Sequence, residues 1–289
     1  FHLNNKVYYR EKFFRSSAPW ILDEPVHTQD FWALRWYGLL WHTAVDPVKG
    51  DAQMWYRGDI SHGPFSRNML WGVMDISYIG QNTTQKMRQK RDEYLLSGKS
   101  YFAEYGTANK IDMPNTQPVL WSLSAWAKGA SGILPWNSIG NEAAWRRAEQ
   151  TALFYPDASG TKASVRLKAF TVEQQMVEYL TFLVEEMTKP RPAVSEWLNQ
   201  RIVLEEGLHQ SYEGDAGTSI FQESDATKLW ALRYQVGKAV SELGPAYKRA
   251  LVKWRAPEWD PDGLPDLGYV NVAPQVERNK PRVDHFAPE

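Results

Sequence analysis

The chain has 289 residues, and its 33 basic and 34 acidic side chains leave a formal net charge of −1. This near balance provides no field that would favour nucleic acid or an acidic membrane, and no apolar run is long enough to cross a bilayer. The absence of cysteine excludes disulfides and thiolate chemistry, and it leaves the compartment open, with secretion or a periplasmic location among the options. The 14 Trp and 14 Tyr residues suit a cleft that stacks flat, hydroxylated ligands such as sugars.

The first half of the chain predicts short strands that alternate with helices. The opening stretch FHLNNKVYYREKFF is expected to be a loop or helix that precedes the first strand, APWIL (18–22), which stops at the sequence DEP. Thr28 can cap the helix that follows, with Asp30 in its first turn. The apolar face of this helix would hold Phe31, Leu34, Gly38 and Trp41.

Four further strands are predicted downstream. They are QMWY (53–56), MDISYIG (74–80), SYFAEYG (100–106) and GILPWN (132–137). The helices predicted between and after them are TTQKMRQKRDEYLLSGK (83–99), TQPVLWSLSAWAKGA (116–130) and EAAWRRAEQTAL (142–153). Such alternation implies parallel βαβ units, in either a doubly wound sheet or a (β/α)8 barrel.

Polar and aromatic residues follow each predicted strand, in the loops DEP, RGDISH, EYGTAN and PWNSIG. In a barrel these loops share one face, which is where the active site lies. A complete barrel needs eight strands and the sequence predicts five, so either the fold is not a barrel or three strands precede Phe1.

The character of the chain changes after about residue 155. FYPDASGTKAS predicts a loop, and it leads into a helix with Val172, Met176, Leu180, Leu183 and Met187 at helical spacing. A second helix is predicted through Leu229, Leu232, Val236 and Val240. The sequence therefore predicts a catalytic part over 1–155, a helical extension packed on it over 156–255, and a Pro-rich extended tail over 256–289.

The adjacent acids Asp23 and Glu24 are the candidate catalytic residues. Glycoside hydrolysis needs a carboxylic acid that protonates the leaving oxygen and a second group that stabilises the oxocarbenium-like centre. A strand-end Asp-Glu pair can supply both when the substrate carries a 2-acetamido group, whose own carbonyl oxygen attacks the anomeric carbon. The alternative is that the two acids simply lie in water beyond a strand.

Several stretches resemble the catalytic region of the family-123 glycoside hydrolases and of the wider group called domain of unknown function 4091. They are WILDEP, EYGTANKIDMPNTQPVLWSLSAWAKGASGILPWNSIG and FYPD…SVRLKAF…EQQMVEYL, which together run from about Trp20 to about Leu183. The resemblance implies strands four to eight of a (β/α)8 TIM barrel that cleaves terminal β-linked N-acetylgalactosamine by substrate-assisted retaining catalysis. The matching residues imply that Asp23 is the stabiliser and Glu24 the acid/base, with no metal or organic cofactor.

This resemblance makes APWIL the fourth barrel strand, and the four strands that should then follow are all predicted. Strands one to three are accordingly expected upstream of Phe1, in another part of the same protein or on a partner chain. The implied ligand is a carbohydrate, a glycan or glycoside.

Two other functions stay open from the sequence. In a retaining glycosidase of another sugar, Glu24 would be the acid/base and Glu104, in the predicted strand SYFAEYG, the nucleophile, with the two carboxyl groups roughly 5 Å apart. The second is a non-catalytic carbohydrate-binding or structural component.

Further polar and aromatic residues at strand ends are candidates for substrate binding. They are Arg57, Asp59, Tyr78, Glu104, Tyr105, Asn109, Trp136 and Asn137. Asp59 could bind a pair of sugar hydroxyls, or it could pair with Arg57 and order the loop. Trp136 is the candidate platform under a sugar ring, with a place in the core as the alternative. The six His show no metal-ligand spacing.

Overall fold

The structure, a computed structural model, describes residues 1–3, 20–25, 27–60, 69–81, 84, 101–146, 151–186, 196–198, 200, 206–208, 219–221 and 225–242. Its helices are α1 (Thr28–Val45), α2 (Thr116–Ala127), α3 (Val165–Glu186) and α4 (Ala226–Glu242), with a 3₁₀ helix at Glu142–Trp145. Its strands are β1 (Arg57–Ile60), β2 (Ile76–Gly80), β3 (Tyr101–Gly106), β4 (Ile133–Pro135), β5 (Phe154–Asp157), β6 (Gly160–Ala163), β7 (Glu206–Leu208) and β8 (Ser219–Phe221).

The fold is mixed α/β, with a four-stranded sheet in the order β1-β2-β3-β4, in which the β1–β2 and β3–β4 pairs are parallel. The described residues divide into two compact units, and the division falls inside β3, between Ala103 and Glu104. The mixed class agrees with the sequence, whereas the barrel and the three-part division at 155 and 255 stay predictions.

The first predicted strand is wrong. Residues 20–24 form bends and turns rather than a strand, and Ala18 and Pro19 lie outside the described residues. The segment that lies beside β1 is instead 1–3, where His2 makes a parallel bridge with Arg57. The Arg57 N–H donates to the carbonyl oxygen of Phe1 at 2.8 Å. Short apolar segments are interchangeable by pattern alone, and only backbone pairing decides which of them joins the sheet.

The second predicted strand is displaced by four residues. QMWY is irregular, and β1 begins directly after it, at the residues that the sequence predicted as a loop. The backbone N–H of Tyr56 donates to the carboxylate of Asp75 at 2.8 Å, and its hydroxyl donates to the carbonyl oxygen of Leu34 at 3.0 Å. Tyr56 thus directly precedes β1, whereas the strands predicted at β2, β3 and β4 are confirmed.

Helix α1 packs its predicted apolar face into the first unit. Phe31 and Leu34 are fully buried, and Gly38 allows the helix to approach Tyr56, since an added Cβ there would lie 2.8 Å from the tyrosine ring. Its N-cap is His27, one residue before the predicted cap Thr28. The Asp30 carboxylate accepts the His27 N–H at 2.9 Å, which satisfies a backbone donor at the helix start.

Helices α2, α3 and α4 form the core of the second unit and confirm the helices predicted there. Trp121 of α2 is fully buried and meets Phe170 of α3 edge to face at 6.4 Å. The predicted spacing places Met176 and Leu180 of α3 in this core, and α4 buries Leu232. Met187 lies outside the described residues.

Two predictions for the second unit are wrong in detail. FYPDASGTKAS is a hairpin rather than a loop, because β5 and β6 pair in antiparallel register from Phe154↔Ala163 to Asp157↔Gly160. Gly160 closes its turn with a φ of +133°, which favours glycine. Of the helix predicted over 142–153, the described residues show only the 3₁₀ turn Glu142–Trp145.

Other predicted segments lie outside the described residues. They are most of the opening stretch, the helix over 83–99 apart from Thr84, and the tail 256–289. Within the ranges given above, no helix combines the length and the hydropathy that a membrane span requires.

Replacing Glu173 by Gln tests a buried carboxyl of α3. Burial raises the pKa of Glu173 well above 4.5, so over the interval above pH 4.5 the folded chain keeps a proton that the unfolded chain has lost. Stability therefore falls as the pH rises through that interval, by about 1.4 kcal/mol for each tenfold difference in proton affinity between the two states. We expect the free energy of unfolding in urea to depend less on pH in E173Q than in the wild type.

The control is Glu178→Gln on the exposed side of the same helix, where Glu178 accepts a hydrogen bond from Gln174 at 3.2 Å. E178Q should keep the wild-type pH dependence. An E173Q profile that overlays the wild-type profile would contradict the expectation.

Candidate active site

The acids Asp23 and Glu24 lie among the bends of residues 20–25, before α1. Asp23 is 3% exposed and Glu24 is 8% exposed, so neither is a solvated acid at the edge of a strand. Because carboxyl groups are costly to bury, two adjacent buried acids mark a candidate functional site.

Arg57 and Asp59 form an ion pair on β1, in the first unit. The guanidinium donates to Asp59 through Nε at 3.2 Å and through Nη2 at 3.0 Å, both to Oδ1, with a third contact of 3.3 Å to Oδ2. The sequence offered this intramolecular pair as the alternative to sugar binding, and it is present. Because residues i and i+2 of a strand share a face, both side chains project from the same side of β1.

Tyr78 joins these two residues from β2. It stands opposite Asp59 in the parallel register, and the Arg57 guanidinium carbon lies 4.0 Å from the centre of its ring. This cation–π contact fixes the plane of the guanidinium. The structure thus assembles three predicted binding residues into one half-buried cluster, which we call the Arg57–Asp59–Tyr78 cluster.

His2 is a member of this site that the sequence did not predict. Its Nε2 lies 3.7 Å from Oδ2 of Asp59. Burial lowers the pKa of His2 below 6.5, and the charge of Asp59 opposes that shift. The charge of Arg57 lowers the pKa of His2 further, and the charge of Asp23 raises it. A single histidine outside any motif gave no signal of this role.

Glu104 of β3 belongs to the core of the second unit. Its carboxylate accepts the indole N–H of Trp121 at 3.0 Å and is paired with the ammonium of Lys128 at 3.2 Å. Trp121 lies in α2 and Lys128 is its C-cap, so Glu104 points from the strand into the packed helix layer, fully buried. These contacts give the residue a structural role.

Tyr105 and Trp136 form an aromatic pair at the ends of β3 and β4. Tyr105 is buried, whereas Trp136 is 42% exposed, and their ring centres lie 6.4 Å apart. The backbone N–H of Trp136 donates to the carbonyl oxygen of Gly106 at 2.9 Å, which anchors the backbone that carries the indole. Asn137 beside it is exposed. The Trp136 ring is therefore partly exposed beside Tyr105, and an exposed aromatic face is what a stacking platform requires.

Asn109 is not at the surface. It is fully buried, and its side-chain amide donates to the carbonyl oxygen of Thr151. Arg166 of α3 fixes the same loop by donating to the carbonyl oxygens of Asn109 at 2.9 Å and Ala152 at 2.6 Å, and to the hydroxyl of Tyr155 at 2.7 Å. Asn109 and Arg166 accordingly hold the connections after β3 and β4 together.

No protein-family model matches the sequence, and no curated protein is similar to it in sequence. Among solved structures, the chain is similar to a family 123 glycoside hydrolase from Clostridium perfringens that was studied for glycolipid glycan hydrolysis. The two share 10% sequence identity, with a TM-score of 0.49, over 82% of this chain and 43% of that protein. The chain thus spans less than half of that protein's length, and a similarity this weak identifies neither a family nor an activity.

Replacing Lys128 by Met tests the structural role of Glu104. The change leaves a buried carboxylate without its counter-charge, so we expect the free energy of unfolding to fall by about 3 kcal/mol. Adding Glu104→Gln should recover most of that loss, because the amide oxygen can still accept the Trp121 N–H.

The matched control is Lys162→Met, which removes a cation from the exposed pair with Asp157 on the hairpin, where the two side chains are 3.0 Å apart. K162M should cost far less than K128M in the same urea titration, because solvent screens an exposed pair. If K128M and K162M lowered the free energy of unfolding equally, the ion pair between Glu104 and Lys128 would not be a buried one.

Proposed function

We propose that the chain is the catalytic part of a glycoside hydrolase that releases a terminal β-linked N-acetylhexosamine, with N-acetylgalactosamine as the preferred sugar. The observation that carries the proposal is the burial of two adjacent carboxyl groups, Asp23 and Glu24, in the unit that also holds the half-buried Arg57–Asp59–Tyr78 cluster. The stretches that resemble family-123 glycoside hydrolases include the same two residues, in WILDEP.

The proposed reaction uses Glu24 as the general acid and base. Glu24 donates its proton to the glycosidic oxygen while the acetamido carbonyl oxygen of the substrate attacks the anomeric carbon and the leaving group departs. The Asp23 carboxylate accepts the acetamido N–H and balances the positive charge of the oxazolinium ring that forms. Glu24 then takes a proton from water as that water opens the ring, which returns the enzyme and retains the configuration.

The burial of the two acids supports this division of roles. Charges interact more strongly where water is excluded, so a buried carboxylate stabilises developing positive charge better than a solvated one. The Arg57–Asp59–Tyr78 cluster supplies hydrogen-bonding groups for sugar hydroxyls in the same unit.

The contacts of Glu104 favour this mechanism over a Glu104 nucleophile. A nucleophilic carboxylate must reach the anomeric carbon, whereas this one is held by Trp121 and Lys128 in the helix layer.

In the second unit, Trp136 is the proposed surface for stacking a sugar ring, with the exposed Asn137 next to it.

Replacing Glu24 by Gln tests the acid role. E24Q should lower kcat/KM for 4-methoxyphenyl N-acetyl-β-galactosaminide by about 100-fold to 10,000-fold, because a poor leaving group needs the proton. The 2,4-dinitrophenyl glycoside, whose leaving group departs as an anion, should lose far less in its glycosylation step. Asp51→Asn, at an exposed acid of the same unit, is the control and should keep both rates. A wild-type chain that binds sugar but cleaves neither glycoside would instead be a carbohydrate-binding component.

Replacing Asp23 by Asn tests the assistance by the substrate. D23N should lower kcat/KM for both glycosides by about 100-fold to 1,000-fold, since the oxazolinium charge is stabilised less whatever the leaving group. The thiazoline derived from N-acetylgalactosamine should inhibit the wild type and bind D23N more weakly. Hydrolysis that the thiazoline leaves unaffected would contradict substrate assistance and favour a protein nucleophile.

A further inference from the structure

Asp30 of α1 makes two backbone contacts that lie on either side of the catalytic segment. Its Oδ1 accepts the N–H of Ile21 at 3.0 Å, and its Oδ2 accepts the N–H of His27 at 2.9 Å. Ile21 precedes the pair Asp23–Glu24 and His27 follows it, so one carboxylate holds both ends of the segment.

These contacts exceed what a helix start requires. A capping interaction satisfies a donor of the first turn, and the bond to His27 does this. Ile21 is nine residues before Asp30 and belongs to no helix, so its bond gives the α1 terminus nothing. The bond instead fixes the place where the chain enters the catalytic segment. At 3% exposure, Asp30 makes both bonds away from bulk water, where charge-assisted hydrogen bonds are strongest.

We propose that Asp30 is a positioning residue for Glu24, an inference that rests on the proposed function. The carboxylate ties the segment to α1, which is anchored in turn by the buried side chains of Phe31 and Leu34. A general acid must hold its proton within hydrogen-bond distance of the leaving oxygen, and a displacement of about 1 Å can cost about 100-fold in rate. Asp30 acts through the backbone that carries Glu24.

Replacing Asp30 by Asn separates positioning from general stability. The amide keeps one acceptor oxygen and turns an NH2 group towards the other backbone donor, so one of the two bonds is lost. We expect kcat for the 4-methoxyphenyl glycoside to fall by about 100-fold and kcat for the 2,4-dinitrophenyl glycoside to fall by less, because both need Asp23 and only the first needs the Glu24 proton. The pH dependence of kcat for the 4-methoxyphenyl glycoside should also change on its alkaline side.

The control is Asp46→Asn at the other end of α1. Asp46 accepts hydrogen bonds from His42 at 2.9 Å and Lys49 at 3.0 Å, so D46N also removes charge-assisted bonds from this helix. It should lower stability without changing the ratio of the two rates. An unchanged ratio in folded D30N, or the same change in D46N, would overturn the positioning role.

Amide hydrogen exchange in the wild type gives a test that needs neither activity nor a folded variant. The Ile21 and His27 amides should exchange at least about 100-fold more slowly than free peptide amides, because each is hydrogen-bonded to a buried carboxylate. Unprotected amides at these two residues would overturn the positioning role of Asp30 and leave the proposed function standing. A wild-type chain that hydrolyses neither glycoside while both amides stay protected would overturn the proposed function, and the positioning role of Asp30 with it.

Discussion

The parallel register between β1 and β2 is the constraint on which the polar site of the first unit depends. It sets Tyr78 opposite Asp59, and the two-residue period of a strand keeps Arg57 on the same face as Asp59. A slip of one residue would turn Tyr78 away and leave the guanidinium without its aromatic partner. Since Asp75 binds the Tyr56 N–H at the point where β1 begins, the register is fixed by a buried carboxylate as well as by the ladder.

Buried acids occur in several parts of the chain, and the contacts of two of them show a structural role. Asp30 binds two backbone N–H groups, and Glu104 binds an indole and an ammonium, so both carboxylates hold elements of the fold together. Asp23 and Glu24 sit in a bend next to the element that Asp30 fixes. An acid that could serve as a reactive group is therefore found beside structural acids, and sequence position alone does not separate the two kinds.

Long periodic segments were the predictable part of this fold. Helix α3 has an apolar residue at nearly every core position over 22 residues, and that pattern has no competing interpretation. APWIL failed because a short apolar run fits a strand, a bend or a packed loop equally well, and the partner that joined β1 was His2, within a stretch without strand periodicity. The hairpin of β5 and β6 was missed because turn residues such as Gly160 mark both a loop and a tight hairpin.

The candidate site was predictable to the same limited degree, and β3 shows why. Alternation along a strand requires Glu104 and Tyr105 to point to opposite faces, and the sequence contains that much. The sequence does not determine which face of β3 meets the helix, since both residues are buried and neither side of the strand carries a polar stripe. The answer depends on Trp121 and Lys128, which meet Glu104 only once α2 has packed on the sheet. A strand-end glutamate becomes a nucleophile or a structural anchor through that packing, so the helix, rather than the strand, decides its chemistry.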